Sequence, residues 1–126
     1  MKHLIAILLL TASALPAQTP PNGIRVSTWV REDIFAGFMG NDMERFSSGM
    51  KKLDDILASD PRSADALAWK GGAGLWLAAR AHEAGRTAEF ELLYAKALAT
   101  LEQGRKAGEG TPTWRPSTPS AADVGW

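Results

Sequence analysis

Apolar residues recur at steps of three and four along most of this chain, with polar residues between them. In the clearest case the apolar stripe is Met43, Phe46, Met50, Leu53 and Leu57, and the opposite face carries Arg45, Lys51, Lys52, Asp54 and Asp55. A period of this kind is typical of an amphipathic helix that buries one face. The sequence therefore predicts an all-α fold.

The ends of this helix are also predicted. Asn41 is expected to cap its N-terminus, with Glu44 three positions on completing a capping box. Asp60 and Pro61 end it, because proline lacks a backbone donor and disfavours helical geometry in the residue before it.

A preceding helix is predicted from about Ser27 to Gly40. Its apolar positions are Val30, Ile34, Phe35, Phe38 and Met39. Glu32 and Asp33 lie early in it, where the helix dipole favours negative charge. Residues 18–27 are expected to form a flexible arm, because they contain turn residues and little periodicity.

A third helix is predicted between a cap at Ser63 and a left-handed terminator at Gly85. Its middle, residues 71–74, is Gly-Gly-Ala-Gly, and each interior glycine costs about 0.5–1 kcal/mol relative to alanine. The close approach of another helix would offset this cost, and a notch for a ligand is the alternative. Trp69 and Trp76 are expected to bracket the crossing.

A fourth helix is predicted from a cap at Thr87 to Gly108. Its stripe is Phe90, Leu93, Tyr94, Ala97, Leu98 and Leu101. Residues 109–126 are rich in proline, serine and threonine, which predicts a disordered tail. Within it, Trp114 is expected to fold back onto a groove and Trp126 to stay loose.

The first 17 residues predict a signal peptide. Lys2 supplies a positive charge, residues 4–10 are continuously apolar, and small residues follow. Cleavage is expected after Ala17, with cleavage after Ala14 as the alternative. A membrane anchor is disfavoured, because a spanning helix needs about 20 apolar residues. We therefore expect an exported protein, periplasmic or secreted, with no membrane span after cleavage.

Composition narrows the function further. The chain has no cysteine, so no disulfide or thiol nucleophile is possible. Its 14 basic residues balance 14 acidic ones. No positive field attracts nucleic acid, so nucleic acid is not an expected partner. Roughly a hundred residues remain after the signal, enough for one small domain.

One spacing links the two halves of the helical region. Gly37 and Gly71 lie 34 positions apart, Gly49 occupies a small-residue position between them, and Pro61 closes the second helix. These residues resemble the tetratricopeptide repeat family, whose repeat of 34 residues places a glycine on the first helix, small residues on the second and a proline at the end. The resemblance implies two stacked antiparallel helical hairpins, with an up-down four-helix bundle as the alternative.

The resemblance covers residues 29–106 as two degenerate units. Tyr94 arrives about two helical turns late, and Glu102 stands near the place of the second closing proline. Arrays of this kind usually need three or more repeats. Either the tail serves as a cap or the chain pairs with a second copy as a homodimer.

The resemblance also implies a function. In that family the first helix of each hairpin lines the surface that binds a peptide or partner protein, which corresponds here to the first and third helices. The predicted partner-binding residues are Arg31, Trp69, Lys70 and Arg80. The alternative is a pocket for a small apolar ligand, formed by Trp69, Trp76 and the glycine tract.

Catalytic residues are not evident. His82 is the sole imidazole once the signal is removed, and no second histidine follows at the spacing of a helical zinc motif. Paired carboxylates at Asp54-Asp55 fit a solvated helix face, and no nucleophile-base pair is identifiable. We expect no enzyme activity, metal or cofactor; an enzyme or enzyme accessory, with chemistry that the sequence does not reveal, is the remaining alternative.

Overall fold

The computed structural model describes residues 17–21 and 24–109. Within them the chain forms four helices and no strand: α1 (Val26–Gly40), α2 (Met43–Ser59), α3 (Ala64–Glu83) and α4 (Thr87–Gly108). The predicted all-α fold is confirmed. Nearly all of the predicted signal peptide, the tail beyond Glu109, Trp114 and Trp126 lie outside the described residues.

The junction between α1 and α2 differs from the prediction. Asn41 ends α1 in the left-handed conformation, with φ 53°. The side chain of Asp42 caps α2 by accepting a hydrogen bond from the backbone N–H of Arg45 at 3.1 Å. The predicted capping box of Asn41 and Glu44 is therefore wrong, because Asn41 ends α1 instead, with its backbone N–H donating to the carbonyl of Gly37 at 3.0 Å.

The α3 ends agree with the sequence, whereas the α4 start does not. The Ser63 hydroxyl accepts from the backbone N–H of Ala66 at 3.3 Å, and Gly85 has φ 74°, as a left-handed terminator requires. Thr87 is already helical. Arg86 occupies the cap position of α4 and makes no side-chain capping bond, so the predicted Thr87 cap is wrong.

The helices form two hairpins joined through α3. α1 packs on α2, α3 packs extensively on α4, and α3 also contacts both α1 and α2. Between the described helices, α4 contacts neither α1 nor α2. A closed up-down bundle would bring the last helix against the first. The observed contacts therefore fit two hairpins, the second resting on the first through α3.

The core lies mainly between the first hairpin and α3. Its buried residues are Val30, Ile34, Phe46, Leu53, Ile56, Ala66 and Ala73. Aromatic rings extend it, since the centroid of Trp76 lies 4.8 Å from that of Phe38 and 4.9 Å from that of Phe46. Met39 does not join the core, because it is 84% exposed.

The glycine tract explains how closely α4 approaches. A Cβ at Gly71 would lie 2.5 Å from Cγ of Leu101, and one at Gly74 would lie 3.2 Å from Cβ of Ala97. The predicted tight crossing is confirmed at these two glycines. Gly72 is exposed, and a Cβ there would meet nothing within 4 Å.

The tryptophans do not bracket that crossing, contrary to the prediction. Trp76 packs on Phe38 and Phe46, and Trp69 lies edge-on to Phe35, with centroids 6.3 Å apart. Both rings therefore face the first hairpin, while the crossing with α4 uses another face of α3. The small residues of α3 allow α4 to approach closely. The large rings of α3 fill the wider gap to the first hairpin.

Candidate functional site

An apolar groove runs between α1 and α3. It is lined by Ile34, Phe38, Ala68, Trp69, Gly72 and Ala73 and has a volume of about 350 Å³. The groove is open along one side. It is a candidate binding site because it combines a concave shape with an apolar lining that includes Trp69; we name it the α1–α3 groove.

Helical periodicity positions the lining. Ile34 and Phe38 lie one turn apart on α1, and Ala68 and Gly72 lie one turn apart on α3, so each pair presents one face. The small residues of α3 leave the space that the rings of α1 and Trp69 border. Because Gly72 has no side chain and no neighbour within 4 Å of a Cβ position, it keeps the groove open.

Exposed apolar side chains extend the α1 side of the groove. Phe35 is 41% exposed and lies next to Trp69, and its ring also meets that of Phe38 edge-on at a centroid distance of 5.5 Å. Met39 follows one turn after Phe35 on α1. These side chains enlarge the apolar surface that a bound partner could cover.

Of the four predicted site residues, only Trp69 lines this groove. Arg31 is exposed and pairs with its neighbour Glu32 at 3.3 Å. The Lys70 ammonium pairs with the carboxylate of Asp54 on α2 at 2.7 Å. Two of the predicted cations therefore bind carboxylates within the chain.

Arg80 lies at the interface between α3 and the first hairpin. Its guanidinium carbon lies 4.9 Å from the Trp76 ring centroid, and Nη1 lies 2.7 Å from Sδ of Met43 on α2. A guanidinium over an indole face is a favourable cation-π arrangement. Arg80 thus joins α3 to α2 and is not brought together with Arg31 or Lys70.

Sequence reasoning missed most of the groove. Ile34 and Phe38 were assigned to a buried stripe, and Ala68 and Gly72 carry no chemical signal of their own. The signal that could have found this groove is the position of Gly72 one turn after Trp69, because a glycine leaves a gap on the helix surface beside the large ring. That the gap faces α1 depends on how the hairpins pack.

A second groove lies between the start of α3 and the end of α4. Its apolar lining is Ala64, Ala68, Leu101, Gly104 and Gly108, with Asp65, Arg105 and Glu109 as its charged residues, and its volume is about 530 Å³. We name it the α3–α4 groove. Ala68 lines both grooves, so the two meet on the exposed face of α3.

The charged groups with shifted pKa values lie outside the α1–α3 groove. A hydrogen bond from the backbone N–H of Gln18, at 2.9 Å, together with the Lys51 ammonium, holds the pKa of Asp55 below its ordinary value. At the end of α4, the Arg105 guanidinium lowers the pKa of Glu102, and in turn Glu102 and Glu109 raise the pKa of Arg105. The contacts of Asp55 join the N-terminal segment to α2, and those of Arg105 lie within the last turns of α4.

Residues 17–21 and 24–109 hold neither a cluster of metal-ligating side chains nor a helix that could cross a membrane. No group of three or more histidine, aspartate or glutamate side chains there is arranged to hold a metal ion. The ring of His82 packs against Phe90, with centroids 5.0 Å apart. In residues 17–21 and 24–109, no helix combines the length and the apolarity needed to cross a bilayer.

Comparison with protein-family models, with curated proteins and with solved structures found no match. The function proposed next therefore rests on the residues and contacts of this chain.

Proposed function

We propose that this chain is an exported, non-catalytic helical module that binds a peptide segment of a partner protein in the α1–α3 groove. The observation that carries the proposal is the open apolar groove lined by Ile34, Phe38 and Trp69, continued on the surface by Phe35 and Met39. Contiguous exposed apolar surface of this kind marks interaction sites on proteins.

The shape of the groove favours a peptide. An open trough accepts one or two apolar side chains while the backbone that carries them stays at the rim. Rings such as those of Trp69 and Phe35 give large contact area with few torsions to immobilise, which suits them as anchors of an interface. The expected ligand is a segment with an aromatic or aliphatic anchor residue.

The architecture supports a repeat-type module. α3 packs on both helices of the preceding hairpin, as a stacked repeat must in order to bury its apolar face. The resemblance of the Gly37–Gly71 period and Pro61 to tetratricopeptide repeats points the same way. The charged, apolar and small-residue pattern of the first 17 residues supports export.

A small apolar ligand is the second candidate. A volume of about 350 Å³ lies within the range of roughly 300–1,000 Å³ that holds small molecules. However, Trp76 is committed to the aromatic cluster, and α4 fills the space at Gly71 and Gly74. The predicted pocket was formed by Trp69, Trp76 and the glycine tract. Of these residues, Trp69 and Gly72 border open space.

Substitution at Gly72 tests the proposal. Gly72→Glu adds a charged side chain over the groove without a clash, because nothing lies within 4 Å of its Cβ position. Ala79→Glu is the matched control, since Ala79 is exposed on the same helix and lines neither groove. A displayed library of short random peptides is first selected for binding to the wild-type chain. The selected peptides are then titrated by calorimetry against wild type and both variants.

We expect at least a tenfold loss of affinity in Gly72→Glu and none in Ala79→Glu, since burying an unpaired carboxylate against an apolar ligand is unfavourable. Equal binding by both variants would refute the groove. An apolar fluorescent dye that binds wild type but not Gly72→Glu, with no peptide selected, would favour the small-ligand candidate. N-terminal sequencing of the chain recovered from an exporting host tests the predicted cleavage.

A further inference from the structure

The α3–α4 groove is apolar and larger than its neighbour. Its floor is formed by Ala64, Ala68, Leu101 and Gly104, and small residues make up most of it. At Gly104 an added Cβ would lie 3.1 Å from Cβ of Leu67, so the helices are in direct contact beneath the groove. A volume of about 530 Å³ is ample for an indole ring and its neighbouring atoms.

The groove lies where the described chain ends. Glu109, the last described residue, is itself part of its lining. Seventeen more residues follow, and Trp114 is the first large apolar side chain among them. Five residues span at most about 17 Å when fully extended, which exceeds the roughly 12 Å that α4 rises between Leu101 and Glu109 at the groove. Trp114 is therefore within reach without any rearrangement of α4.

The sequence around Trp114 suits docking. Pro112 and Pro116 restrict the backbone on either side, which reduces the conformational entropy lost on ordering. Arg115 follows Trp114 directly. Asp65, at the groove, forms no ion pair with any described residue and carries the opposite charge. Apolar fit and charge therefore both match this segment.

We propose that the α3–α4 groove is the docking site for Trp114 of this chain's own C-terminal segment, with Arg115 facing Asp65. The docked indole covers Ala68 and Leu101 and closes the apolar surface at the end of the second hairpin. Docking concerns a different groove from partner binding and does not depend on the proposed function.

A spin label on the tail tests the docking. The chain has no cysteine, so Ser117→Cys provides a single attachment point. We expect the label to broaden the amide signals of Ala64, Asp65 and Ala68 selectively in the nuclear magnetic resonance spectrum of the full chain. Adding Trp114→Ala should abolish this broadening, because the apolar anchor is lost.

Matched variants define the site. Trp126→Ala and Gly72→Gln should leave the broadening unchanged, whereas Ala68→Gln, which places a polar side chain in the groove, should reduce it. Broadening that is equal with and without Trp114 would overturn the proposal. In a mixture of spin-labelled chain and separately isotope-labelled chain, broadening as strong as that within one chain would assign the groove to a second copy and overturn it as well.

Discussion

Adjacent glycines in α3 have opposite surroundings. Gly71 is buried against α4, where a Cβ would lie 2.5 Å from Cγ and 3.2 Å from the backbone nitrogen of Leu101. Gly72 is exposed and has no neighbour that a Cβ would meet. One glycine is therefore required by packing, whereas the other only weakens the helix.

We expect Gly71→Ala to destabilise the fold and Gly72→Ala to stabilise it. In the first case the backbone of α4 must move, and overpacking of this kind typically costs about 1–3 kcal/mol. In the second case the gain should be about 0.5–1 kcal/mol, the difference in helix propensity. Chemical denaturation of both variants measures the free energy of unfolding. Equal changes would mean that α4 does not approach Gly71 closely.

At the α1–α2 junction, the wrong prediction concerns the roles of two single residues, Asn41 and Asp42. Asn41 and Asp42 both belong to the residue types that cap helix N-termini, so composition alone does not choose between them. The end of α1 at Gly40 was predicted, but the choice also depends on whether α1 needs a left-handed residue after it. α1 continues through Gly40, which leaves Asn41 to adopt the left-handed conformation and Asp42 to cap α2.

At the level of elements, the segment before α1 is attached to α2. The backbone N–H of Gln18 donates to Oδ2 of Asp55, and the Lys51 ammonium lies 2.9 Å from the same oxygen. Both contacts favour the charged carboxylate. They lower the pKa of Asp55 from its ordinary value of 3.8, with the Gln18 hydrogen bond as the larger cause.

We expect this attachment to depend on pH. Because the pKa of Asp55 is lowered in the folded chain, the stabilisation is complete above the ordinary value and is lost as pH falls through the lowered one. The amide chemical shift of residue 55 should therefore titrate in acid, with a midpoint below 3.8. Asp55→Asn serves as the control, in which this titration should be absent; its persistence would assign it to another group.

The existence and apolar stripes of the helices were more predictable than the neighbours of each helix face. The stripe of α2 and the Ser63 cap were evident because periodicity and capping are local properties. The sequence placed Trp69 beside the glycine crossing, yet its ring meets Phe35 on α1. Which helix covers which face is set by tertiary packing, which local pattern does not encode.

At the level of the whole molecule, α3 is the connection between the hairpins. It contacts all three other helices, and the rings of Phe38, Phe46 and Trp76 form the aromatic part of its contact with the first hairpin. Lys70 adds an ion pair to Asp54 at the same interface. Aromatic packing should dominate over that partly exposed pair.

We expect Trp76→Ala to destabilise the chain by roughly 3–5 kcal/mol, the usual loss for a large aromatic residue in a packed site. Lys70→Ala at the same interface should change stability by no more than about 1 kcal/mol. Thermal unfolding compares the two. Hydrogen exchange should show lost protection in α1 and α2 of the Trp76 variant; unaltered protection there would contradict the central role of the ring.

The candidate site was only partly predictable at this scale. Trp69, like the three cations, was chosen by helical phase, and it does line the α1–α3 groove. Arg31, Lys70 and Arg80 were chosen by helical phase, but Glu32 and Asp54 pair with the first two, and Trp76 holds the third. Phase predicts which side of a helix a residue is on, but it does not show whether a neighbouring carboxylate or aromatic ring already contacts that side chain.

The central position of α3 also determines the order in which the molecule can become complete during synthesis. The first hairpin leaves the ribosome with the rings of Phe38 and Phe46 uncovered, because Trp76 is translated later. Until α3 emerges, these rings are available to chaperones and to other nascent chains. The N-terminal half of this protein therefore cannot complete its aromatic core until α3 has been made.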